Sequence, residues 1–320
     1  MNKIRHEVRA HHANPYEDSC IRLYFVGDML CTRHSEIGYH RNPGYEFCLI
    51  PSGRGLFKID TYAIPDHLDE SPHVAVPATR TDVALFPVEK DQLFLTKRHQ
   101  VHGGWPSADA PFRILYLCLE IKGGIGCGDA FWQDAARRLD AVEGPVCPDQ
   151  EGMRWIHERL MQEASSSHGE DLEHAAVMQS LLRLFVLLFL RNAARARKVD
   201  RMPPSSMAII RYLDGHLTEE MHLSHIAAAH HMSVSALSRR FRRETGFSVM
   251  EYCHMARLEK ARHLLATTTG TVSEIAGILR FGSIHHFSHA FKAMYGITPS
   301  AHRKAVARQA SVNHHTVETP

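Results

Sequence analysis

Hydrophobic residues in the first 125 positions of the chain occur in short runs that glycine and proline interrupt. The runs that predict strands are residues 45–50, 56–60, 83–86, 92–96 and 112–119. Short strands separated by turn residues are typical of a β-sandwich or a small barrel. Residues 65–80 carry few strand signals, so we predict a long surface loop there.

The pattern becomes helical after residue 125. Residues 151–164 and 171–198 contain no proline, and the second segment spaces its apolar residues by three and four positions. This spacing gathers apolar side chains on one face of a helix. The most apolar run, residues 181–191, is interrupted by Arg183 and is too short to cross a bilayer, which favours a buried or partner-facing helix. Two adjacent prolines in residues 199–206 predict a linker.

A two-copy repeat occupies the C-terminal third of the chain. Residues 237–248 read LSRRFRRETGFS and residues 287–298 read FSHAFKAMYGIT, at an offset of 50 positions. Each copy places two apolar side chains one helical turn apart and then a glycine suited to a left-handed helix end. Ser233 and Ser283 precede the copies and are good helix N-caps. The sequence therefore predicts two helix-turn-helix units.

Residues 251–267 lie between the copies and have the pattern of a single helix with one apolar face. A rigid spacer helix can hold two recognition helices roughly 34 Å apart, which is the distance between successive major grooves on one side of a duplex.

These blocks resemble the AraC/XylS family of bacterial transcription regulators over residues 207–304. The carrying motifs are LSHIA at 223–227, MSVSALSRRFRRETG at 232–246, ARLEKARHLL at 256–265, FSHAFK at 287–292 and YGITPS at 295–300. The resemblance implies an all-α domain of seven helices, with helix-turn-helix motifs at about 223–244 and 272–294. The DNA-binding residues that it implies are Ser235, Ser238, Arg239, Arg243, Ile284, His285, Ser288, His289 and Lys292.

The resemblance also assigns different roles to these residues. Arg239 is expected to contact guanine, because its guanidinium fork matches O6 and N7. Arg243 and Lys292 are expected to contact phosphate. The second unit departs from the family, which often has glycine where Arg280 stands and arginine where His289 stands. Base reading is therefore expected mainly from the first unit.

The first 125 residues resemble the cupin-type sensor domain that many of these regulators carry. The Gly-Arg-Gly turn at 53–55 and the strand end at 85–87 are compatible with it. The resemblance implies a small molecule, such as a sugar or related metabolite, inside the barrel. Residues considered for the pocket are His34, His40, Tyr45, Glu46, His99, His102 and Trp105.

The 25 histidines of the chain raise the question of a metal site. His99 with His102, or His34 with His40, could supply ligands. The H-x-H pattern with a downstream glutamate that metal-binding cupins carry is absent, and no spacing supplies a metal triad. We therefore expect no metal and no cofactor.

The distribution of charge indicates a class of partner, and the cysteines and the N-terminal residues indicate a cell compartment. Residues 205–304 hold 12 basic and 7 acidic residues, whereas the remainder holds 25 basic and 28 acidic residues. A basic C-terminal segment suits nucleic acid. The seven cysteines form no C-x-x-C pair and are expected to be free thiols. The N-terminal residues lack an apolar secretory segment, so a cytoplasmic protein is expected.

The fold prediction is an α+β protein. It has a cupin-like β-barrel at 1–125, dimerisation helices at 126–198, a linker at 199–206, a DNA-binding domain at 207–304 and a disordered tail at 305–320. The predicted function is sequence-specific transcription regulation, with activation as the family's commoner mode and no enzymatic activity. Predicted partners are double-stranded promoter DNA, a small-molecule effector, a second copy of the chain and RNA polymerase, with no membrane.

Two alternatives stay open. One is a cupin-type metal-dependent enzyme fused to a DNA-binding domain, which metal content would reveal. The other is a nucleoid-type architectural protein, which would show weak sequence preference and no response to a small molecule.

Overall fold

A computed structural model describes residues 6–31, 37–60, 83–107, 111–122, 128–166, 172–196 and 202–315. The loop predicted at residues 65–80 and the candidate ligand residue His34 lie outside these ranges.

The N-terminal part is built on two antiparallel sheets. Its strands are β1 (His6–Glu17), β2 (Ile21–Cys31), β3 (Ile37–His40), β4 (Tyr45–Ser52), β5 (Arg54–Asp60), β6 (Val83–Glu89), β7 (Gln92–Thr96), β8 (His102–Pro106), β9 (Phe112–Ile121) and β10 (Val146–Pro148). The six-stranded sheet has the order β1-β2-β9-β4-β7-β10, and the four-stranded sheet has the order β3-β8-β5-β6.

Helices follow and interleave with the last strand. They are α1 (Ala130–Asp140), α2 (Arg154–Ser165), α3 (Leu172–Arg195), α4 (Pro204–Gly215), α5 (Leu223–Ala229), α6 (Val234–Thr245), α7 (Val249–Thr267), α8 (Val272–Ile278), α9 (Ile284–Tyr295) and α10 (Pro299–His315). The chain is thus a mixture of α and β structure, as the sequence predicted.

Alternation of side chains along β4 shows how the layers are stacked. Tyr45, Phe47 and Leu49 share one core cluster with residues of α1, α2 and α3. Cys48 and Ile50 point the other way, into a cluster shared with the four-stranded sheet. Successive side chains of a strand face opposite sides of the sheet, so a strand buried on both sides needs apolar residues at nearly every position.

The long helix α3 covers the outer face of the six-stranded sheet. The ring of Phe47 meets those of Phe185 and Phe189 edge-on, with centroids 5.4 and 4.9 Å apart. Of the helices described, α3 alone is long and apolar enough to cross a membrane. This is weak evidence for a membrane span, because core helices meet the same test.

The four-stranded sheet packs its outer face against the C-terminal helices. Leu56, Leu85 and Trp105 belong to the same buried cluster as the cores of α4 to α9. The Lys58 Nζ atom lies 2.7 Å from Glu259 Oε2 and 3.1 Å from the centre of the Trp105 ring. This buried ion pair joins β5 to α7.

The strands predicted at 45–50, 56–60, 83–86, 92–96 and 112–119 and the two predicted helices are confirmed, with small differences at their ends. The sequence pattern did not predict β1, β2, β3, β8 and β10, and it gave no bounds for α1, which lies within the region 126–198 predicted to be helical. Polar residues dominate β1, which among the described strands pairs with β2 alone, at the edge of its sheet, and so carries no apolar run. β10 lies inside the region predicted to be helical, because three residues that pair with β7 give too short a pattern to detect.

Two boundaries also need correction. Residues 204–206 of the predicted linker form the first turn of α4, because proline at the first helical position lacks only an N–H that would have no helical partner. The tail predicted to be disordered from residue 305 continues α10 as far as His315. Alanine and arginine in residues 305–310 favour this continuation.

The expectation of seven free thiols is wrong at Cys20, which is disulfide-bonded. Five of the described cysteines are free and buried. Burial raises the pKa of Cys31 and Cys147 to about 12, so both remain neutral thiols.

The Lys58–Glu259 pair generates a prediction about stability. Replacing Lys58 with Met leaves the Glu259 carboxylate buried without its partner, which costs about 3–5 kcal/mol. The double substitution Lys58→Met with Glu259→Met should recover most of this loss in urea unfolding at pH 7.

The matched control is Lys90→Met, because the Lys90 and Asp91 side chains are about two-thirds exposed. Its cost should stay below about 1 kcal/mol. Equal costs for Lys58→Met and Lys90→Met would contradict a structural role for the buried pair.

His157 on α2 generates a prediction about pH. It is fully buried, its Nε2 lies 3.1 Å from the Tyr116 carbonyl oxygen, and burial lowers its pKa to about 4. Below pH 6.5 the unfolded chain therefore binds a proton that the folded chain excludes. We expect the free energy of unfolding to fall by about 1.4 kcal/mol per pH unit between pH 6.5 and 4 from this group alone.

The measurement is the pH dependence of urea unfolding for the wild type and for His157→Gln. The variant should lose less stability on acidification, and an unchanged slope would refute the assignment.

Candidate functional site

The first helix pair of the C-terminal part is α5 with α6. Ser233 caps α6 as predicted, because its hydroxyl oxygen accepts a hydrogen bond from the Ala236 N–H at 3.2 Å. Gly246 ends α6 with a φ of 83°, a left-handed conformation that favours glycine. Leu237 and Phe241 are fully buried and fix one face of α6 to the domain core. The opposite face of α6 is left exposed.

The second helix pair, α8 with α9, repeats this construction. Ser283 accepts a hydrogen bond from the His286 N–H at 3.0 Å, and Gly296 ends α9 with a φ of 81°. Phe287 and Phe291 occupy the buried face. The turn is residues 279–283 here and residues 230–233 in the first pair, so the second turn is one residue longer.

Both turns contain a residue other than glycine in the left-handed region. His231 has a φ of 54° and Arg280 has a φ of 57°. Arg280 also donates a hydrogen bond from Nε to the Thr218 carbonyl oxygen at 2.9 Å. The absence of the family's glycine at this position therefore leaves the helix pair intact, because the arginine adopts the conformation that the turn requires.

The predicted DNA-binding residues lie on the outer faces of α6 and α9. Ser235, Arg239 and Arg243 are exposed on α6, and Ser238 is half-buried there. The predicted residues of α9 have similar exposure. Ser288 is half-buried, and the exposed residues are Ile284, His285, His289 and Lys292. Each predicted set thus shares one helix face.

The arginines of α6 have different surroundings. Arg243 donates to Glu244 Oε1 at 2.8 Å, and Arg240 bonds to Ser205 and Glu244. Among the described residues, Arg239 has neither a hydrogen bond nor an ion pair. Its guanidinium donors are therefore the most available on this face.

Helix α7 connects the two pairs. It begins with a capping box, in which Ser248 and Glu251 each bond to the other's backbone N–H. Nineteen residues make a helix about 28 Å long. Tyr252 and Glu259 on this helix face the four-stranded sheet.

A second candidate site is a cavity of about 180 Å³ between the two sheets. Most of its wall is apolar. The lining residues are His11, Phe25, Met29, Ile37, His40, Glu46, Cys48, Phe57, His102, Ile114 and Tyr116.

Part of the cavity wall is a buried polar cluster around Glu46. Glu46 Oε2 is 2.6 Å from His102 Nε2, 3.4 Å from His40 Nε2 and 2.6 Å from Asn42 Nδ2. Burial by itself would raise the pKa of Glu46, but the two imidazoles hold that pKa well below its usual range. Burial would lower the pKa of His40, but the Glu46 carboxylate outweighs it and raises that pKa.

Three predicted pocket residues lie elsewhere. Tyr45 faces the helices and donates to Asp140 Oδ1 at 2.8 Å. His99 is exposed in a turn, and Trp105 packs edge-on against Tyr252 of α7, with centroids 5.5 Å apart. Of the predicted set, the structure therefore brings together His40, Glu46 and His102.

No motif spacing in the sequence predicted a group of metal-ligating side chains, but the structure brings three such side chains together. His40, Glu46 and His102 present ligand atoms that all lie within 4.8 Å of one another. Sequence spacing could not reveal this group, because His102 comes from a different strand 56 positions after Glu46. The alternation of side chains along β4 could have shown that Tyr45 and Glu46 do not line the same pocket, since neighbouring strand residues face opposite sides of a sheet. The roles of Asn42, Lys58 and Glu259 gave no sequence signal.

The C-terminal part of the chain is similar to known helix-turn-helix proteins. Residues 226–305 match the family of the helix-turn-helix domain. The HTH-type transcriptional activator RhaS of Klebsiella pneumoniae (strain 342) is 27% identical over 177 residues, which cover 52% of this chain and 64% of that protein. RhaS of Enterobacter sp. (strain 638) is 29% identical over 126 residues, which cover 39% of this chain and 45% of that protein. The matches thus span less than two thirds of either relative.

A solved transcriptional regulator from Chromobacterium violaceum, described as containing an AraC-type DNA-binding domain, is 27% identical. The match covers 32% of this chain and 93% of that one, with a TM-score of 0.32.

Proposed function

We propose that this chain, as a member of the AraC/XylS family, is a transcription regulator that binds promoter DNA sequence-specifically and responds to a small molecule. The observation that carries the proposal is the repeated helix pair, in which α6 and α9 each bury one face and expose the other. A recognition helix must present side chains to the major groove while its opposite face holds it on the domain.

The exposed face of α6 supports base reading by the first unit. Arg239 is exposed and unengaged by the described residues, so it can place both arms of its guanidinium on guanine. Ser235 and Ser238 flank it and can bond to base edges. Arg243 and Lys292 lie toward the ends of their helices and would contact phosphate.

The second unit would contribute less to sequence reading. Its face presents Ile284, His285, Ser288 and His289. None of these offers the bidentate fork of arginine to guanine. We infer that α9 mainly positions the domain on the duplex, with the spacer helix α7 holding the two units on one side of it.

The N-terminal sheets would form a cupin-like sensor barrel. A volume of about 180 Å³ lies below the 300–1,000 Å³ of ordinary ligand pockets, which favours a small effector. The wall includes Phe25, Phe57, Ile37 and Ile114, and its polar groups are the cluster around Glu46 and the hydrogen-bonded His11 and Tyr116. Several sugar hydroxyls would each need a polar partner, so this wall favours a ligand with an apolar body and one polar group over a carbohydrate.

The four-stranded sheet would carry the signal to the DNA-binding domain. On β5, Phe57 lines the cavity while Lys58 faces the other way and pairs with Glu259. On β8, His102 lines the cavity while Trp105 packs against Tyr252. A ligand that shifts these strands therefore acts directly on α7, provided that it binds two arrangements of the interface with different affinity.

The relatives' names favour transcriptional activation over enzymatic activity, and RNA polymerase would then be a further partner. Proteins that act on bacterial promoters work in the cytoplasm. We accordingly propose a cytoplasmic activator with no membrane partner, in which α3 is a core helix.

The exposed face of α3 supports a homodimer. Val177, Leu184 and Leu187 are 39%, 37% and 40% exposed and lie on one side of the helix. Apolar residues at such spacing form a stripe that a second copy of the helix can cover.

Substitution of Arg239 tests the DNA-binding proposal. Genome-wide mapping of bound sites should give a recurring motif near promoters for the wild type. Arg239→Ala should lower affinity for that motif by about 5- to 150-fold, because a bidentate base contact contributes about 1–3 kcal/mol. Lys292→Ala should instead weaken binding to all sequences alike. It should also reduce by about one the slope of the logarithm of the binding constant against the logarithm of the salt concentration.

Arg211→Ala is the matched control, since Arg211 is exposed on α4 outside both helix pairs. Diffuse wild-type binding that ignores the Arg239 substitution would favour an architectural protein over a regulator.

The homodimer is tested on α3. The double substitution Leu184→Glu with Leu187→Glu should convert a dimer to a monomer in light scattering, because it places charges in the apolar stripe. Ile278→Glu, at a 53% exposed side chain of α8, should leave the dimer intact. A wild type that is monomeric at micromolar concentration would exclude this interface.

A further inference from the structure

The polar cluster in the cavity wall has the composition of a metal site. His40 at the end of β3, Glu46 on β4 and His102 on β8 direct Nε2, a carboxylate oxygen and Nε2 toward one point. The Glu46 and His102 side chains are 8% and 2% exposed, and His40 is 20% exposed. The three ligands thus come from both sheets and meet away from bulk water.

Backbone carbonyls determine which nitrogen of each imidazole faces the cluster. His40 Nδ1 lies 2.8 Å from the Gly38 oxygen, and His102 Nδ1 lies 2.8 Å from the Gln100 oxygen. A carbonyl oxygen only accepts hydrogen bonds, so each Nδ1 carries a proton. In the neutral ring, Nε2 then carries the lone pair that a metal ion can accept. Metal-binding histidines are oriented in this way, with the other ring N–H bonded to a carbonyl or carboxylate.

One carboxylate faces two imidazole nitrogens among the apolar side chains of Phe25, Phe57 and Ile114. A bound metal ion attracts all three ligand atoms at once and takes the place of any proton shared between them.

Asn42 is a second, independent indication. It is 2% exposed, its Nδ2 donates to Glu46 Oε2 at 2.6 Å, and its Oδ1 has no hydrogen-bond partner among the described residues. Buried amide oxygens are nearly always bonded. An orphan acceptor beside the cluster therefore indicates a further bound group, such as a water molecule or a ligand held by a metal ion.

We propose that His40, Glu46 and His102 bind a divalent first-row transition metal ion inside the sensor cavity. Two imidazoles and one carboxylate suit such ions better than calcium or magnesium, which prefer oxygen ligands. Bonds of about 2.0–2.1 Å at tetrahedral angles separate ligand atoms by about 3.3 Å. The His40–Glu46 separation of 3.4 Å already fits, and the His102–Glu46 pair at 2.6 Å must open by about 0.7 Å.

Three protein ligands leave coordination positions open. All three ligand residues line the cavity together with Phe57 and Ile114. A small molecule with an oxygen donor can therefore complete the coordination while its apolar part contacts those two side chains. This effector class deepens the proposed sensor function and rests on it. Metal binding itself does not depend on DNA binding and is measured without DNA.

The test uses the full-length protein, stripped of metal by a chelator and titrated with Co²⁺. We expect one ion per chain, with the visible absorption bands of cobalt bound by imidazole. Glu46→Gln, His102→Gln and His40→Gln should each weaken binding by at least about 10-fold. His99→Asn is the matched control, because His99 is an exposed histidine with a φ of 57°, a conformation that asparagine tolerates.

Circular dichroism of the metal-free variants separates loss of the site from loss of the fold. His40→Gln, at the most exposed ligand, keeps the test decisive if the two buried substitutions unfold the chain. Absence of one-to-one binding, or equal binding by His40→Gln and His99→Asn, would overturn the proposal. Metal binding together with diffuse, effector-independent DNA binding would instead leave the site intact and reject the regulator function.

Discussion

The four-stranded sheet is buried on both faces, and the arrangement of the two halves of the protein depends on this. Its inner face closes the cavity with Phe57 and His102. Its outer face supplies Leu56 and Trp105 to the core of the C-terminal helices. Since alternate residues of a strand face opposite sides, each of β5 and β8 reaches the cavity and the DNA-binding domain at once. A displacement of either strand cannot affect one side without the other.

The same alternation explains why charged groups are tolerated at the interface. Lys58 occupies an outward position on β5, where its charge is matched by Glu259 and its ammonium lies over the Trp105 ring. A buried ion pair contributes little net stability compared with an apolar pair, but it requires one alignment of its partners. The pair therefore specifies how β5 meets α7 more than it strengthens the contact.

The DNA-facing surface follows from a different constraint. Each recognition helix buries two large apolar residues and ends at a left-handed glycine, which determines its direction and which face is exposed. These features are local, since caps, helix faces and glycine ends all lie within about 15 residues. The departure at Arg280 is compatible with the second turn, where this residue takes a φ of 57° and bonds to the Thr218 carbonyl.

The sequence alone determined the features that depend on local pattern: the α+β class, the five apolar strands, the helix pairs and the faces of α6 and α9. Periodicity and capping act over a few residues, so they can be read without the fold. The tertiary structure decided which of the candidate pocket residues meet. Neighbouring Tyr45 and Glu46 face opposite sides of β4, and His40, Glu46 and His102 converge from three strands. Such convergence depends on strand pairing and register between distant segments, which spacing along the chain does not encode.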